Sequence, residues 1–449
     1  MPQNHHPNRR KFIGMTAATA AATWAGPTLY AAGAPAKPGP NDTINVAVIG
    51  CGARAGQVMT SFMDLPGVRM VAVCDVNSNH LARGRAKAGG EKIAAYHDYR
   101  KLLEDKTIDA VIVAPQAHWH VLITVAACQA GKDVYMEKPL SNSIGEGRAV
   151  IAAAKKYNRI VQIGTQQQSQ EHYRKAIEIV QSGKLGDISE VKVWDHTYWA
   201  PGRGTPANCD PPPELDWEFY VGPAPMQPYN PNIYYNYGYD WFKLSGGGHQ
   251  VAWGVHHFDI VARAMGVKWP VAASAMGGNF AYRDNFEWPN TFDAMLEFGP
   301  GPVAKDGFIL QYSQRMGCQR VVRAHAKCFY GTEASMLVDR SGIYIVPEAK
   351  GNKNAVAVGD FVGAEQEIAP ADDAFRHSEV FLENIRARKQ PEADALAGFY
   401  ATNLGHLMNI SWQVGRSIRW DGEKDQVIAD PEANALVTKP YRAPWKLEI

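Results

Sequence analysis

Three short stretches hold residues whose types and spacing could do chemistry. The first is "IGCGARAG", which sets Gly50-x-Gly52-x-x-Ala55 at the end of an apolar run, with Gly56 one place later. Glycines at such a point permit a tight turn and let the backbone approach a pyrophosphate, which the unpaired N–H groups of a following helix then attract. The turn itself, Gly50, Gly52, Ala53, Arg54 and Ala55, is the candidate phosphate cradle. The second is "VCDV", where Asp75 closes the next apolar run about 20 residues further on, the spacing expected of a dinucleotide fingerprint. A carboxylate there accepts ribose hydroxyls and repels a 2′-phosphate, so the expected cofactor is NAD. The third is "MEKPL", where Lys138 sits at the end of a further apolar run, on the edge where such sheets bind ligands. A lysine pressed against a cationic nicotinamide and apolar walls has its ammonium form disfavoured, which makes it a usable proton donor or acceptor.

These residues need a scaffold that brings strand ends together. From Thr43 to about Thr165, the runs "TINVAVIG", "RMVAVCDV", "DAVIVAP", "DVYMEKP" and "RIVQIGT" alternate with amphipathic stretches. Runs that are apolar on both faces are parallel strands covered by helices, so residues 43–165 are expected to form a doubly wound Rossmann sheet. Residues 166–449 are expected to form a second α/β domain. Its runs "TFDAMLEF", "GFILQYS", "AKCFYGT", "SMLVD" and "GIYIV" read as strands of a large, mostly antiparallel sheet, followed by amphipathic helices in "DDAFRHSEVFLENIRARKQ" and "FYATNLGHLMNISWQVGRSI".

With 46 basic and 45 acidic side chains, the chain lacks the concentrated positive charge that phosphate-backbone recognition demands, so no nucleic-acid partner is expected. The six cysteines show neither CxxC nor zinc-ligand spacing. They are read as buried and reduced, with no metal site, as suits a chain folded in a reducing compartment. Residues 1–36 carry Arg9, Arg10 and Lys11, a weakly apolar middle rich in Ala and Thr, and small residues around Ala32-Gly33-Ala34. They read as a twin-arginine signal, an address recognised by the export machinery that leaves no membrane anchor after processing. The expected location is periplasmic.

The stretches "VAVIGCGARAG", "AHWHVLITVAACQAGKDVYMEKPLS", "GTQQQSQ", "LDWEFYVGPAP", "GGGHQVAWGVHHFDI", "GTEASMLVDRSG" and "DPEANALVTKPYRAPWKL" together make the chain resemble the Gfo/Idh/MocA family, the glucose-fructose oxidoreductase and inositol dehydrogenase group, most of all its exported branch. The resemblance implies NAD(P)-dependent chemistry on sugars, cyclitols or glycosides. It also implies an open sheet that packs against another subunit, hence a homo-oligomer, and a closing segment packed back on the Rossmann domain. It places His120, Glu137 and Lys138 at the cofactor, with Lys138 also touching substrate. Gln166, Trp199, His249 and His256 fall on the substrate side, and His256 matches the histidine of the pattern GGxxxDxGxHxxD. The chain departs from that pattern, because the acidic position falls on Ala252 and the usual Thr-Pro reads Pro115-Gln116.

Helical spacing puts His249, Ala252 and His256 on one face, with Asp259 a turn further on and able to orient His256. His257 points away. Loss of the acid at 252 should leave His256 a weaker base, unless His249 or a substrate carboxylate fills the gap. Three outcomes stay open: Lys138 as principal acid/base with His256 assisting, a shifted substrate, or binding without catalysis. Between Trp194 and Phe242, dense prolines predict an ordered extended loop, and its rings Trp199, Trp217, Tyr220, Tyr234, Tyr235, Tyr237 and Trp241 offer flat faces suited to sugar C–H groups, with one or two expected at substrate and most pinning the loop or burying a subunit interface. A cytoplasmic dinucleotide is scarce outside the cytoplasm. An exported NAD enzyme is therefore expected to carry its cofactor with it and recycle it in place, either as an oxidoreductase or as a redox-neutral glycoside hydrolase or lyase.

Overall fold

A computed structural model of the protein describes residues 43–197, 202–235, 237–317, 323–348, 360–363 and 372–449, the backbone alone for 360–363 and 372–374. The leader 1–36 and Trp199 lie outside the described residues.

The first sheet has six strands: β1 (Ile44–Ile49), β2 (Val68–Cys74), β3 (Ala94–Tyr96), β4 (Ala110–Val113), β5 (Asp133–Met136) and β6 (Val161–Ile163). All pair in parallel in the order β3-β2-β1-β4-β5-β6, the doubly wound arrangement expected from the apolar runs. β1 shows why its sequence is so uniformly apolar. Val46 and Val48 pack into one core with Val58, Phe62 and Phe381, while Ala47 and Ile49 pack into the other with Ile123 and Val150. Both faces are therefore dry. β3 was not expected from the sequence. Its three residues are half-buried or exposed, so it leaves no apolar run to read.

The second sheet has ten strands: β7 (Ile188–Thr197), β8 (Ala272–Gly278), β9 (Thr291–Phe298), β10 (Phe308–Met316), β11 (His325–Gly331), β12 (Ala334–Asp339), β13 (Gly342–Pro347), β14 (Asp360–Gly363), β15 (Ile418–Asp421) and β16 (Gln426–Val427). Their order is β14-β13-β12-β11-β7-β10-β9-β8-β15-β16, antiparallel except for the β7–β10 pair. One face is covered by the helices Gly254–Met265 and Ala395–Val414, with Phe258 against Tyr312 at a ring-centroid distance of 5.4 Å. On the other face, Met276 and Met295 are 76% and 55% exposed, and the register Ser274↔Met295 puts them on the same side.

The segment 202–242 is not a plain extended loop. It folds into short helical turns at Trp217–Val221, Pro231–Tyr234 and Gly238–Trp241. Proline density allows this because Pro231 occupies the first turn of its helix, where its missing N–H costs nothing. The final segment reaches the first sheet's helices: Gly145 N–H donates to Val437 O at 2.9 Å, and Trp445 meets Trp119 edge-on at 4.7 Å.

Candidate active site

The glycine turn is built for close approach. Gly50 has φ +85°, and a Cβ there would fall 2.6 Å from the Pro115 nitrogen, so only glycine fits. Cβ atoms at Gly52 and Gly56 would meet nothing within 4 Å, leaving open space above the turn. The helix Ala53–Met63 starts at Gly52 with no side-chain cap, so its first N–H groups face that space. Ala53 is exposed and Arg54 half-buried at the mouth, whereas Ala55 is fully buried and packs into the core instead. Asp75 accepts the N–H groups of Cys51 at 2.6 Å and Asn77 at 2.8 Å, which fixes its carboxylate at the end of β2. Burial nonetheless pushes its pKa upward against those two bonds. Together these groups wall a cavity of about 550 Å³, continued by His80, Arg83, Leu215, Phe219, Tyr234 and Tyr235. The bare glycine turn, uncapped helix start and fixed carboxylate are what a dinucleotide requires, so the residues fit NAD.

A second cavity of about 650 Å³ holds Lys138, Gln166, His249, Ala252, Trp253 and His256. Arg54, Ala114, Pro115, Tyr237 and Tyr239 line both cavities, so the two meet at this wall. Lys138 lies just past β5, and its Nζ donates to Ala252 O at 2.7 Å. Burial lowers its pKa, while Asp240 and Glu137 act in the opposite sense. Glu137 is an anchor: it accepts Arg54 Nε at 2.8 Å, Gln166 Nε2 at 3.2 Å and the Lys138 N–H at 3.2 Å. Gln166 also donates to Tyr135 Oη at 3.0 Å. His120 is buried in the wall of this cavity, its ring nitrogens 2.6 Å from Pro139 O and 3.1 Å from Pro115 O, so it ties the two strand-end loops together.

The histidine stretch is two helices, His249–Ala252 and Gly254–Met265, with Trp253 between them. His249, Ala252 and His256 still face one cavity, as the spacing predicts. His249 Nε2 is bonded to the Asp195 carboxylate on β7 and stacks between Trp241 and Trp253, at centroid distances of 6.0 and 6.1 Å. Asp259 does not orient His256. Its carboxylate is taken by Gln168, and His256 Nδ1 is buried with no partner among the described residues. The helix places Asp259 against the 166–169 turn because Arg263, one turn on, also bonds Gln168 there. Burial, and then the charges of Lys138, Arg340 and Arg54, push the His256 pKa well down, so its ring is neutral. His257 is turned away, buried, with His325 at 5.8 Å.

The structure adds groups that sequence reasoning missed. Asp240, carried by the turn Gly238–Trp241, enters the cavity of Lys138 and His249. Burial raises its pKa to about 6, with Lys138 and His249 opposing. Nothing in its local sequence marks it. Segment 214–239 is the other addition, because it crosses the dinucleotide cleft. Ser78 N–H donates to Glu214 O at 2.9 Å, Asp216 N–H to Val76 O at 3.1 Å, and Asn77 Nδ2 to Tyr234 Oη at 2.7 Å. Tyr234 also lies parallel to His80 at 6.1 Å. Trp217, Tyr220 and Trp241 are buried in a local core, so those rings hold the segment together. Among the described cysteines, all are free and only Cys209 is exposed.

Residues 44–165 match the family described as "Oxidoreductase family, NAD-binding Rossmann fold", and residues 341–447 match its "C-terminal alpha/beta domain". The chain belongs to the Gfo/Idh/MocA oxidoreductase family. Its NAD-binding Rossmann fold is the family's own. A curated myo-inositol 2-dehydrogenase of Thermotoga maritima is 31% identical over 151 residues, 33% of this chain and 44% of that protein. A protein of Saccharopolyspora erythraea named glycosyl hydrolase family 109 protein is 30% identical over 156 residues, 33% of this chain and 34% of its own length. The match thus spans less than half of these Gfo/Idh/MocA relatives. Among solved structures, a levoglucosan dehydrogenase in complex with NADH and levoglucosan aligns at TM-score 0.65, covering 84% of this chain and 99% of that one at 15% identity. An aldose-aldose oxidoreductase from Caulobacter crescentus aligns at 0.62 with the same coverage and 19% identity. Both are likenesses of fold.

Proposed function

We propose that the protein is an NAD-dependent oxidoreductase acting on a sugar, cyclitol or glycoside, that its cofactor stays bound and is recycled in place, and that it works in the periplasm after twin-arginine export. One observation carries the proposal. The cavity of Lys138 and His256 meets the dinucleotide cleft along a shared wall formed by Arg54, Ala114, Pro115, Tyr237 and Tyr239. The names of the curated relatives, which include inositol dehydrogenases, support the substrate class.

NAD, when bound, supplies a two-electron acceptor and donor beside a carbinol carbon. Gly50, Gly52 and the start of the helix Ala53–Met63 would hold its pyrophosphate, and Asp75 its ribose. The remaining work falls to side chains of this chain. Lys138, with its proton affinity lowered by burial, takes the substrate hydroxyl proton as a free amine and returns it as an ammonium. Ala252 O aims its Nζ. Neutral His256 lines the same cavity and hydrogen-bonds substrate without adding charge. His249, fixed through Asp195 and stacked between Trp241 and Trp253, lines the same cavity as a further polar contact for substrate.

Retention of the cofactor is supported by segment 214–239, whose bonds to Val76, Asn77 and Ser78 must break before the cleft opens. The exposed Met276 and Met295 on one face of the second sheet support a second copy covering that face. A redox-neutral glycoside hydrolase or lyase is the second reading, favoured by a relative named glycosyl hydrolase family 109 protein, 30% identical where the myo-inositol 2-dehydrogenase is 31%. Incubating purified protein with a panel of sugars, cyclitols and glycosides tests both. A keto-product formed with reduction of a second carbonyl supports the oxidoreductase, and free aglycone without added NAD supports the hydrolase. Ligand binding with neither product would overturn both and leave a binding protein.

A further inference from the structure

We propose that Asp240 is the carboxylate partner of Lys138, supplying from a different element the negative charge that position 252 lacks, and that it sets the protonation state in which Lys138 meets substrate. The proposal rests on the reading of Lys138 as the group that exchanges the substrate proton.

The geometry is specific. Asp240 belongs to the turn Gly238–Trp241, which Tyr237 enters with φ +63°. The turn is pressed directly onto the glycines that precede the His249 helix. A Cβ on Gly246 would stand 2.6 Å from the Asp240 Cα, and Gly248 N–H donates to Asp240 O at 2.8 Å. Glu287 and Trp288 N–H groups bind the next carbonyl, Trp241 O, at 3.0 and 3.2 Å. The Asp240 backbone is therefore fixed on three sides. Asp240 lines the cavity that also holds Lys138, His249, Ala252 and His256.

The wiring of the two charges agrees with this role. Lys138 Nζ has three donors, and one goes to Ala252 O at 2.7 Å. Ala252 offers only a methyl group where the family pattern has an acid. Of the other charged groups facing Lys138, Glu137 is already engaged with Arg54, while Arg54 and Arg340 repel an ammonium. Asp240 is the carboxylate left to stabilise it. Asp240 and Lys138 line one cavity and each acts on the other's charge, so a substrate hydroxyl held there lies in the field of both. When that hydroxyl is deprotonated, its O–H bond breaks, the electron pair stays on oxygen and a new N–H bond forms on Lys138. Asp240 keeps its negative charge and stabilises the ammonium. His249, the second group facing Asp240, is already bonded to Asp195.

The experiment reads proton affinity directly and needs no turnover. Full-length protein labelled with 13Cε-lysine is titrated by NMR, the Lys138 resonance being assigned by its loss in Lys138→Gln. Asp240→Asn should lower the Lys138 midpoint by about one to two pH units, and Asp240→Glu should restore most of it. The reciprocal variant covers a failure of Asp240→Asn to fold. In Lys138→Gln, the Asp240 carboxyl, followed by infrared difference spectroscopy, should titrate at higher pH than in the parent. If a substrate turns over, the acid limb of its kcat/KM profile should move down in Asp240→Asn by the same amount as the NMR midpoint. Midpoints of Lys138 and Asp240 unmoved by each other's replacement, in proteins with parental melting temperature, would overturn the proposal. Absence of turnover with shifted midpoints would instead overturn only the proposed activity.

Discussion

Replacement of Tyr234 by Ala should loosen the strap over the dinucleotide cleft without touching the cleft's floor. The Tyr234 hydroxyl accepts Asn77 Nδ2 at 2.7 Å, its ring lies 6.1 Å from His80 at an interplanar angle of 17°, and it meets Tyr220 at 5.3 Å and Tyr235 at 5.2 Å. A net hydrogen bond contributes about 1 kcal/mol, and the stacking on His80 across the cleft roughly another 1 kcal/mol. If the strap must lift before the dinucleotide leaves, removing about 2 kcal/mol from its closed state speeds release about 30-fold. Tyr234→Phe, which keeps the rings and loses only the bond, should speed release about fivefold. The assay is the rate at which bound NAD is lost to a scavenging enzyme after dilution, with melting temperature as the control on folding. Release from Tyr234→Ala at the parental rate, in a protein that melts normally, would refute the idea that segment 214–239 retains the cofactor.

Four further outcomes follow from the same geometry. Lys138→Ala should lose activity by about 10²-fold or more while keeping its cofactor content, because the proton acceptor goes but the glycine turn stays; product formation under saturating substrate checks this. Gly50→Ala should lose both stability and bound dinucleotide, since φ +85° and a Cβ 2.6 Å from the Pro115 nitrogen force the turn to move; the positive φ alone costs about 1 kcal/mol or more, and melting curves with and without NAD read both effects. Asp259 has a folded-state pKa raised to about 7 by burial. Between the ordinary carboxylate range and about pH 7 the folded state thus holds a proton the unfolded chain has lost, and the stability from this group falls as pH rises through that window. Asp259→Asn, which keeps the contact with Gln168, should gain on the parent in melting temperature from pH 4.5 to pH 8; an identical difference at both pH values would contradict the assignment. His249→Ala should raise KM more than it lowers kcat, because the ring stacks between Trp241 and Trp253 in the wall of the substrate cavity; equal losses in both would place it in the chemistry.

The Rossmann half was legible because its physics is local. Strands covered on both faces must be apolar throughout, and Val46, Ala47, Val48 and Ile49 are all buried for that reason. The turn Gly50–Gly52 and the terminal Asp75 then stand at strand ends, where periodicity stops. β3 escaped notice because a short edge strand with exposed side chains has no such signature. In the second half, the alternation of β9 and β10 was readable, but the order of ten strands depends on pairings between residues more than a hundred positions apart. The candidate site divides in the same way. Lys138, His249 and His256 share a cavity as their motifs imply. Asp240 lies 102 positions after Lys138, in a turn with no periodic pattern, and only the fold brings it into that cavity. Asp259 illustrates the converse: correct helical spacing set it near His256, yet Gln168 from a different element captured its carboxylate. Of the aromatic segment, Tyr234 and Tyr235 wall the dinucleotide cleft alone, while Tyr237 and Tyr239 line both cavities and Trp241 the second. Composition shows that rings are present, and topology decides what they cover.

The claim on which the account depends is that the dinucleotide travels with the protein and is not exchanged between turnovers. Protein recovered from the periplasmic fraction, washed free of small molecules and then denatured, gives the direct test through the ultraviolet spectrum and mass of what it releases. Close to one NAD per chain is the expected yield. Protein that releases none, and that binds added NAD no more tightly than a freely exchanging dehydrogenase, would contradict it.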